Sequence, residues 1–575
     1  MTNPQDPGRQ GWNPTPQPWN QPGGPQPPAG AMGQPWGQQS PQQHSQQGPN
    51  PPQGHPQGQQ HQGQSPQGQQ HQGQYPQGQY PQQAVPGQQP DASGTTKRKS
   101  KTPAIIAAVV ALALIVGGGI FALNFFRTTA NPAEALPANA SMVVKLDLNP
   151  SDAKKLDAYR FLTRFPAIKK QLDSEDAFRK DPGKALWDAL GLDASTGWNY
   201  DADVAPWIGD SVAIAGIATG GSEPTMLVSA HINDKAKARQ ILDSKGLAWA
   251  EHGDFALILP DGGDISAVAK QVNDEPLSKS TAYSADMGEV GSDGLLTFWF
   301  DYAGLVAFMD ANGPQGNQLA EALKDTRLAG ALHISPDKAE VRTFTHSGQA
   351  VAASDENVGD LVANLPDDSS VVLAGAVSEQ TVNDGWAQLK QQLPSDVMRQ
   401  IEEGLTQLGF ALPDDLNTLL GKRFALVADV AGSMQGAAGP ESIRVGLVSD
   451  PRDAAKQAAV WQKLTDVVAQ QAGFKLTYVS TGLSAGSTGA DYANHLLAPQ
   501  GRLSGLDAYT KSVDVGSRTQ FVAFVNPAAV KDAIQMMGEQ SPELIENIEP
   551  ILGVGATSEV VNDHGMKSVL RVTVK

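Results

Sequence analysis

DVAPWIGDSVAIA, residues 203–215, lies without a gap over DLNTLLGKRFALV, residues 415–427. Asp203 meets Asp415, Gly209 meets Gly421 and Ala213 meets Ala425, while the apolar positions between them stay apolar. Working outward from this block, LPANASMVVKL from Leu136 returns as LPDDSSVVLAG from Leu365, and LSKSTAY from Leu277 as LSGLDAY from Leu503. LLTFWFDYAGL from Leu295 corresponds to TQFVAFVNPAAV from Thr519, and LAGALHIS from Leu328 to LGVGATSE from Leu552. Offsets of 229, 212, 226 and 224 residues keep all five blocks in order, which identifies a duplication with loops absorbing the differences. Copy 1 spans residues 136–348 and copy 2 residues 365–575, joined by a linker over 349–364.

Within each copy, short apolar runs such as Ser211–Thr219, Thr225–Ile232 and Leu295–Phe300 have strand length and end at Gly, Asp or Pro. Tight turns at His252-Gly253-Asp254 and Pro336-Asp337 predict antiparallel hairpins. Between the runs, Ala454, Ala458, Trp461, Leu464 and Val468 recur at helical spacing, with Asp450 as the expected N-cap and Pro451 at the first helical position. The fold class expected is therefore α+β, each copy a largely antiparallel sheet with helices packed on one face.

The opening LPANASMVVKLDLNPSDAKKLDAYRFLTRFP and the DVAPWIGDSVAIAG block, with Trp207, Gly209 and Asp210, resemble the bacterial domain-of-unknown-function family numbered 3352. The resemblance extends over most of residues 130–575. It implies a membrane-anchored extracytoplasmic protein of actinobacterial type with no assigned activity, and no catalytic residue carries over from it. Copy 2 departs from the pattern, with Leu419 for Trp207 and Lys422 for Asp210, so any role of those side chains belongs to copy 1 alone.

Upstream of the duplication, Pro103 to Phe126 reads PAIIAAVVALALIVGGGIFALNFF, 24 residues without a charge. As a helix it is about 36 Å long, more than the roughly 30 Å hydrocarbon core of a bilayer. It begins after a hundred polar residues, so it reads as an uncleaved single-pass signal anchor, a transmembrane helix over 103–126 followed by a linker over 127–135. Lys97, Arg98, Lys99 and Lys101 precede it and only Arg127 follows closely, which keeps the N-terminus cytoplasmic and the C-terminal domain extracytoplasmic. Residues 1–102 are a Gln-, Pro- and Gly-rich low-complexity tail in which HQGQSPQGQQ (61–70) is followed in register by HQGQYPQGQY (71–80). Such a tract has too little apolar surface to offset the entropy of ordering, so the tail is expected to be disordered, a spacer with weak cytoplasmic partners at most. It carries Asp6 and Asp91 against Arg9, Lys97, Arg98, Lys99 and Lys101, a net +3, so the −18 of the whole chain leaves −21 outside. That balance excludes a nucleic-acid binder and opposes electrostatic attachment to anionic lipid.

With no Cys in the chain, thiol chemistry and Cys-ligated zinc are excluded. One enzyme-like string stands out, Gly482-Leu483-Ser484-Ala485-Gly486, a match to the G-x-S-x-G elbow, with His495 and His564 downstream and Asp491, Asp507 or Asp514 available. The matching stretch of copy 1 has no Ser, which favours a hairpin tip. Asp201/Asp203, Asp367/Asp368 and Asp414/Asp415 are read as helix caps rather than calcium ligands. His231, His252, His333, His346, His495 and His564 have no ligand spacing. No catalytic, cofactor-binding or metal-binding residue is assigned and no cofactor is expected. The resulting expectation is a non-enzymatic binding or structural module of the cell envelope. Its partners would be the bilayer through 103–126 and an envelope protein, lipid or wall ligand outside. A serine hydrolase using Ser484 and a lipid carrier are the alternatives.

Overall fold

A computed structural model describes residues 131–575 apart from 171, 173, 191–196, 219–223, 292, 309–319, 322, 436–441 and 537–541. The expected tail, the span over 103–126 and the first residues of the linker lie outside the described residues. Among those described, no helix is long and apolar enough to cross a membrane.

Copy 1 supplies β1 (Ala140–Asp147), β2 (Ile208–Ala218), β3 (Pro224–Ile232), β4 (Ala248–His252), β5 (Phe255–Leu259), β6 (Leu296–Asp301), β7 (Arg327–Ser335) and β8 (Lys338–His346). Copy 2 supplies β9 (Val371–Ala376), β10 (Arg423–Asp429), β11 (Arg444–Asp450), β12 (Thr477–Thr481), β13 (Leu483–Ser487), β14 (Thr519–Val525), β15 (Ile551–Asn562) and β16 (Gly565–Val574). Around them lie, in chain order and among other helices, α1 (Asp152–Leu162), α2 (Pro166–Lys169), α3 (Lys235–Ser244), α4 (Ile265–Asp274), α5 (Thr281–Val290), α6 (Glu379–Gln392), α7 (Ser395–Gln407), α8 (Asp414–Leu420), α9 (Ala454–Ala472), α10 (Ala490–Leu497) and α11 (Asp507–Ser512). The protein is α+β, with a large antiparallel sheet.

The sheet has sixteen strands in the order β12, β13, β11, β10, β9, β14, β15, β16, β8, β7, β6, β1, β2, β3, β5, β4. Read inward from either edge, the same eight-strand order appears. Where the sequence suggests one sheet per copy, the structure has a single sheet. The last strand of each copy pairs with the other, from Lys338 opposite Thr573 to His346 opposite Gly565. Left apart, β8 and β16 would each present an unpaired ladder to solvent, and antiparallel pairing removes both edges at once.

The register repeats as well. Val143 stands between Ala215 and Trp299, and Val372 between Val427 and Phe524. Leu277 N–H donates to Leu136 O at 2.7 Å, as Leu503 N–H does to Leu365 O at 2.9 Å. Tyr283 meets Trp299 edge-on at 5.8 Å, as Tyr509 meets Phe524 at 5.4 Å. Pairing sets Trp299 against Phe524 and Ala329 against Gly555, one and two residues beyond the offset of 224. Bulges at Thr519/Phe521 and Ile551/Gly553 take up the additional residues.

Helices pack on both faces of the sheet, not on one as expected. All five residues of β5, FALIL, are buried. Strand alternation sends Phe255, Leu257 and Leu259 to the core face with Val268 of α4 and Met287 of α5. Ala256 and Ile258 turn to the far face, against Ala238 and Leu242 of α3. A strand run with no polar alternation is one covered twice. The core face of copy 2 is closed likewise by Tyr492 and Leu496 of α10 and Tyr509 of α11.

The start of α9 also differs from expectation. Asp450 ends β11 and accepts from Arg423 Nη2 at 2.9 Å, while Asp453 caps the helix by accepting from Ala455 and Lys456 N–H. The buried residues of α9 are Gln457, Val460 and Trp461 rather than the longer stripe expected, because only its first turns reach the sheet.

Candidate functional site

On the far face of the sheet, two apolar rows run in direct cross-strand register. The first is Leu447, Leu426, Leu373, Ala523, Ala556, Leu570, Val341, Leu332 and Leu296. With strands about 4.8 Å apart it is about 38 Å long. The second is Val445, Ala428, Val371, Val525, Val554, Val572, Ala339 and Ile334. Its seam end is roofed from copy 1, where Phe161 of α1, Phe165 just before α2 and Ile168 of α2 pack on Val554, Val572, Ala339 and Ile334. At the other edge, Trp461 of α9 lies on Gly486, so close that a Cβ there would fall 2.1 Å from the ring. Trp461 also stacks on Tyr478 at 6.0 Å.

Between these two coverings the described residues leave the floor partly open. Leu426 is 46% exposed, Leu373 43%, Val445 38% and Val371 36%. Single exposed aliphatics are ordinary, but four adjoining ones on three neighbouring strands form a patch of the kind that marks an interaction site. The result is a trough with β11, β10, β9 and β14 as floor and a helical wall on either side. Two residues beyond β9, the α6 and α7 pair exposes a further apolar set, Leu389, Val397 and Ile401, with Met398 alone buried on α7.

Ser484 is remote from such exposure. It lies within β13, two residues past Gly482, whose φ of +104° makes the β12–β13 turn. Fully buried, its Oγ donates to Gln457 Oε1 at 2.5 Å and lies 3.0 Å from Ser449 Oγ. His495 Nε2 is 3.0 Å from Asp368, and His564 Nδ1 is 2.9 Å from Ser347 O. Asp507 pairs with Lys511 and Asp514 with Arg571, both at 2.8 Å. The G-x-S-x-G string therefore forms a hairpin, and the structure does not bring the other candidates to Ser484.

The carboxylates have local duties. Asp203 Oδ2 accepts from Asn199 N–H at 2.9 Å and pairs with Lys245 at 2.7 Å. Asp415 Oδ2 accepts from Ala411 N–H at 2.8 Å and pairs with Lys463 at 3.2 Å. Each ties the segment before its copy's second strand to the helix after the third. Asp201 pairs with Lys184 at 3.0 Å. Among the described residues no group of three or more His, Asp or Glu is placed to hold a metal. A cleft of about 740 Å³ between α6, α8 and α9 is lined by Glu379, Asp414, Asp415, Asn417, Arg452 and Lys463 among others. Two of its three cations are engaged inward, Arg452 with the Asn417 and Val377 carbonyls and Lys463 with Asp415, while Lys456 is exposed beside Asp453.

The motif residues of copy 1 are structural. Trp207 is buried and its Nε1 donates to Asp203 O at 2.7 Å. Asp210 accepts from Asn149 Nδ2 at 3.0 Å, and its N–H donates to His231 Nδ1 at 3.1 Å. Beside it burial pushes the Asp147 carboxyl up to about 6, against the Asn149 N–H bond and the charges of Lys145 and Lys154, with Asp210 adding to the rise. In copy 2 the place of Asp210 is taken by Lys422, 4.0 Å from Glu356.

Sequence reasoning missed the trough. Its signal was present in VVLAGA and RFALVAD, which are apolar on both faces, but the strands that lack a roof are set by where the helices of copy 1 end.

No curated protein matches the chain. Two crystal forms of TP0453, III and I, are similar to it at 10% identity, covering 39% of this chain and 83% and 82% of those chains, with TM-scores of 0.21 and 0.20. Likeness so slight has no bearing on fold or function. Residues 104–251 match the model of a family described as a protein of unknown function, DUF3352. The match is narrower than the resemblance over most of 130–575, though it holds both the LPANASMVVKL and DVAPWIGDSVAIA blocks, and over those residues the chain is similar to that family.

Proposed function

We propose that the protein is a single-pass, membrane-tethered, extracytoplasmic binding module without catalytic chemistry, and that the copy 2 trough is its binding surface for an apolar ligand. The observation carrying this reading is the unroofed set Leu426, Leu373, Val445 and Val371, flanked on both sides by covered sheet. The membrane tether rests on the uncharged run 103–126 and the basic residues before it. A sealed, fully bonded Ser484 gives the hydrolase alternative no support. The duplication supports the division of labour, with copy 1 roofing the seam and copy 2 left open.

Topology is tested by protease added to intact cells. It should remove the mass of residues 131–575 and spare an epitope tag in the glutamine-rich tail; digestion of the tag with survival of the domain would reverse the orientation. Binding is tested on the full chain in detergent-free lipid nanodiscs with an anilinonaphthalene sulfonate dye. Fluorescence should rise over empty discs, and the increment should fall at least about tenfold in Leu373→Asp/Leu426→Asp, since each buried aliphatic contact is worth roughly 1.5–3 kcal/mol. An undiminished increment in that variant would move the binding surface elsewhere.

A further inference from the structure

Resting on that reading, we infer that the trough takes an acyl chain of a zwitterionic phospholipid from the bilayer to which the protein is tethered. Three occupants compete for an apolar floor of this kind: the chain's own apolar segment, a second copy, and lipid.

On the membrane reading the first is already committed, because residues 103–126 as a span are held in hydrocarbon. Residues 103–126 join the domain through residues 127–130, and Ala133 and Ala135 just beyond are buried in the core-face cluster of copy 1, in a short helix packed against β2, β3 and β5. Four linker residues extend at most about 14 Å. A span that stays in the bilayer therefore ends near the core face at β2, eight strand steps from β9, and does not lie in the trough.

Area argues against the second. Between β11 and β14 the floor is about 14 Å wide, and the run from Val445 to Ser449 along the strand adds about the same length, giving roughly 200 Å². A stable dimer needs about 800 Å² on each partner, and a floor recessed between Trp461 and the α1–α2 roof cannot meet a flat surface.

An acyl chain fits both limits. One leaflet of the hydrocarbon core is about 15 Å deep, close to the width of the open floor. A four-residue linker holds the domain within its own dimensions of the membrane, so lipid is the apolar partner at highest effective concentration. A net −21 outside disfavours anionic headgroups, which selects the zwitterionic class.

The test uses the full chain in vesicles of phosphatidylcholine doped with an analogue bearing a diazirine at the acyl terminus, irradiated and mapped by peptide mass spectrometry. Adducts are expected on peptides carrying Val371–Ala376 and Arg423–Asp429, and should fall at least tenfold in Leu373→Asp/Leu426→Asp. The filled variant Leu373→Trp/Leu426→Trp, which adds no charge, should fall equally and guards against a folding defect. Adducts confined to 103–126, a diazirine fatty acid labelling these strands when the phospholipid does not, or a doubling of particle mass that abolishes labelling would each overturn the inference. If dye binding and its loss on Leu373→Asp/Leu426→Asp hold while phospholipid labelling fails, the binding module stands and the lipid assignment falls. If dye binding also fails, both fall.

Discussion

Glu340→Ala should lower the unfolding free energy of the domain by about 3–5 kcal/mol, measured by urea denaturation, the cost of leaving a buried charge without its partner. Glu340 is 2% exposed on β8, directly opposite Arg571 of β16. It accepts from Arg571 Nε at 2.6 Å and Arg342 Nε at 2.5 Å. Arg571 continues to Asp514 at 2.8 Å and to the Lys511 carbonyl at 3.3 Å, so the pair crosses the seam that makes two half-sheets one. Glu340→Met/Arg571→Met removes both charges and should recover most of the loss. The pH dependence gives an independent reading. Burial raises the Glu340 carboxyl, but the Arg342 hydrogen bond and the Arg571 charge outweigh it and hold it at about 2. A carboxylate depressed in the folded state stabilises fully above its unfolded value near 4.5, and that contribution drains away as pH falls from there toward 2. Wild type should therefore lose about 3 kcal/mol more than the double variant between pH 5 and 2. Parallel pH profiles would show that the pair contributes nothing at the seam.

Much of this architecture is visible in the linear chain, for a physical reason. Duplicated copies must bury the same positions, so Val143 and Val372, or Leu277 and Leu503, keep apolar character while loops drift. Hairpins are legible because Gly253, with φ +56°, and Asp337 sit where turns need them. The joining of the sheets is not, since nothing local distinguishes β8 and β16 from strands that end at solvent. The two-faced helix cover was readable in FALIL, whose five apolar residues leave no face for water. The one- and two-residue slips in β14 and β15 escaped notice because a bulge shifts register without changing composition. The trough escaped for a different reason: its boundary is a long-range fact, the point where Phe161 and Phe165 stop covering strands that lie almost four hundred residues later. Conversely, the short string around Ser484 matches an enzyme motif while its side chain is buried and bonded to Gln457 and Ser449.

Gln457→Ala should cost about 3–5 kcal/mol in the same denaturation measurement, while the surface of the trough stays intact. Gln457 is fully buried on α9. Its Nε2 donates to the Thr418 and Leu419 carbonyls at 3.1 and 3.0 Å and to Ser449 Oγ at 2.8 Å. Those carbonyls belong to the last turn of α8, where a helix has acceptors with no partner of its own, so the amide closes a neighbouring helix end. Its Oε1 accepts from Ser484 Oγ at 2.5 Å and from Tyr478 Oη at 3.3 Å. Register shows what this cluster replaces. Ser449 and Ser484 are cross-strand partners where copy 1 pairs Ala230 with Ala256, and those alanines pack with Ala238 of α3 and with Trp207, whose counterpart is Leu419. Copy 1 fills the site with an indole and three methyl groups, and copy 2 fills it with an amide and two hydroxyls. Ser484→Ala alone should cost about 1–2 kcal/mol, and in Gln457→Ala/Ser484→Ala the costs should fall short of their sum because the two share a hydrogen bond. A nucleophilic Ser484 would behave otherwise: a fluorophosphonate probe would label the folded chain, Ser484→Ala would abolish labelling, and stability would barely move. Labelling with unchanged stability would sink the packing role; unlabelled protein with non-additive stability losses is the outcome the geometry requires.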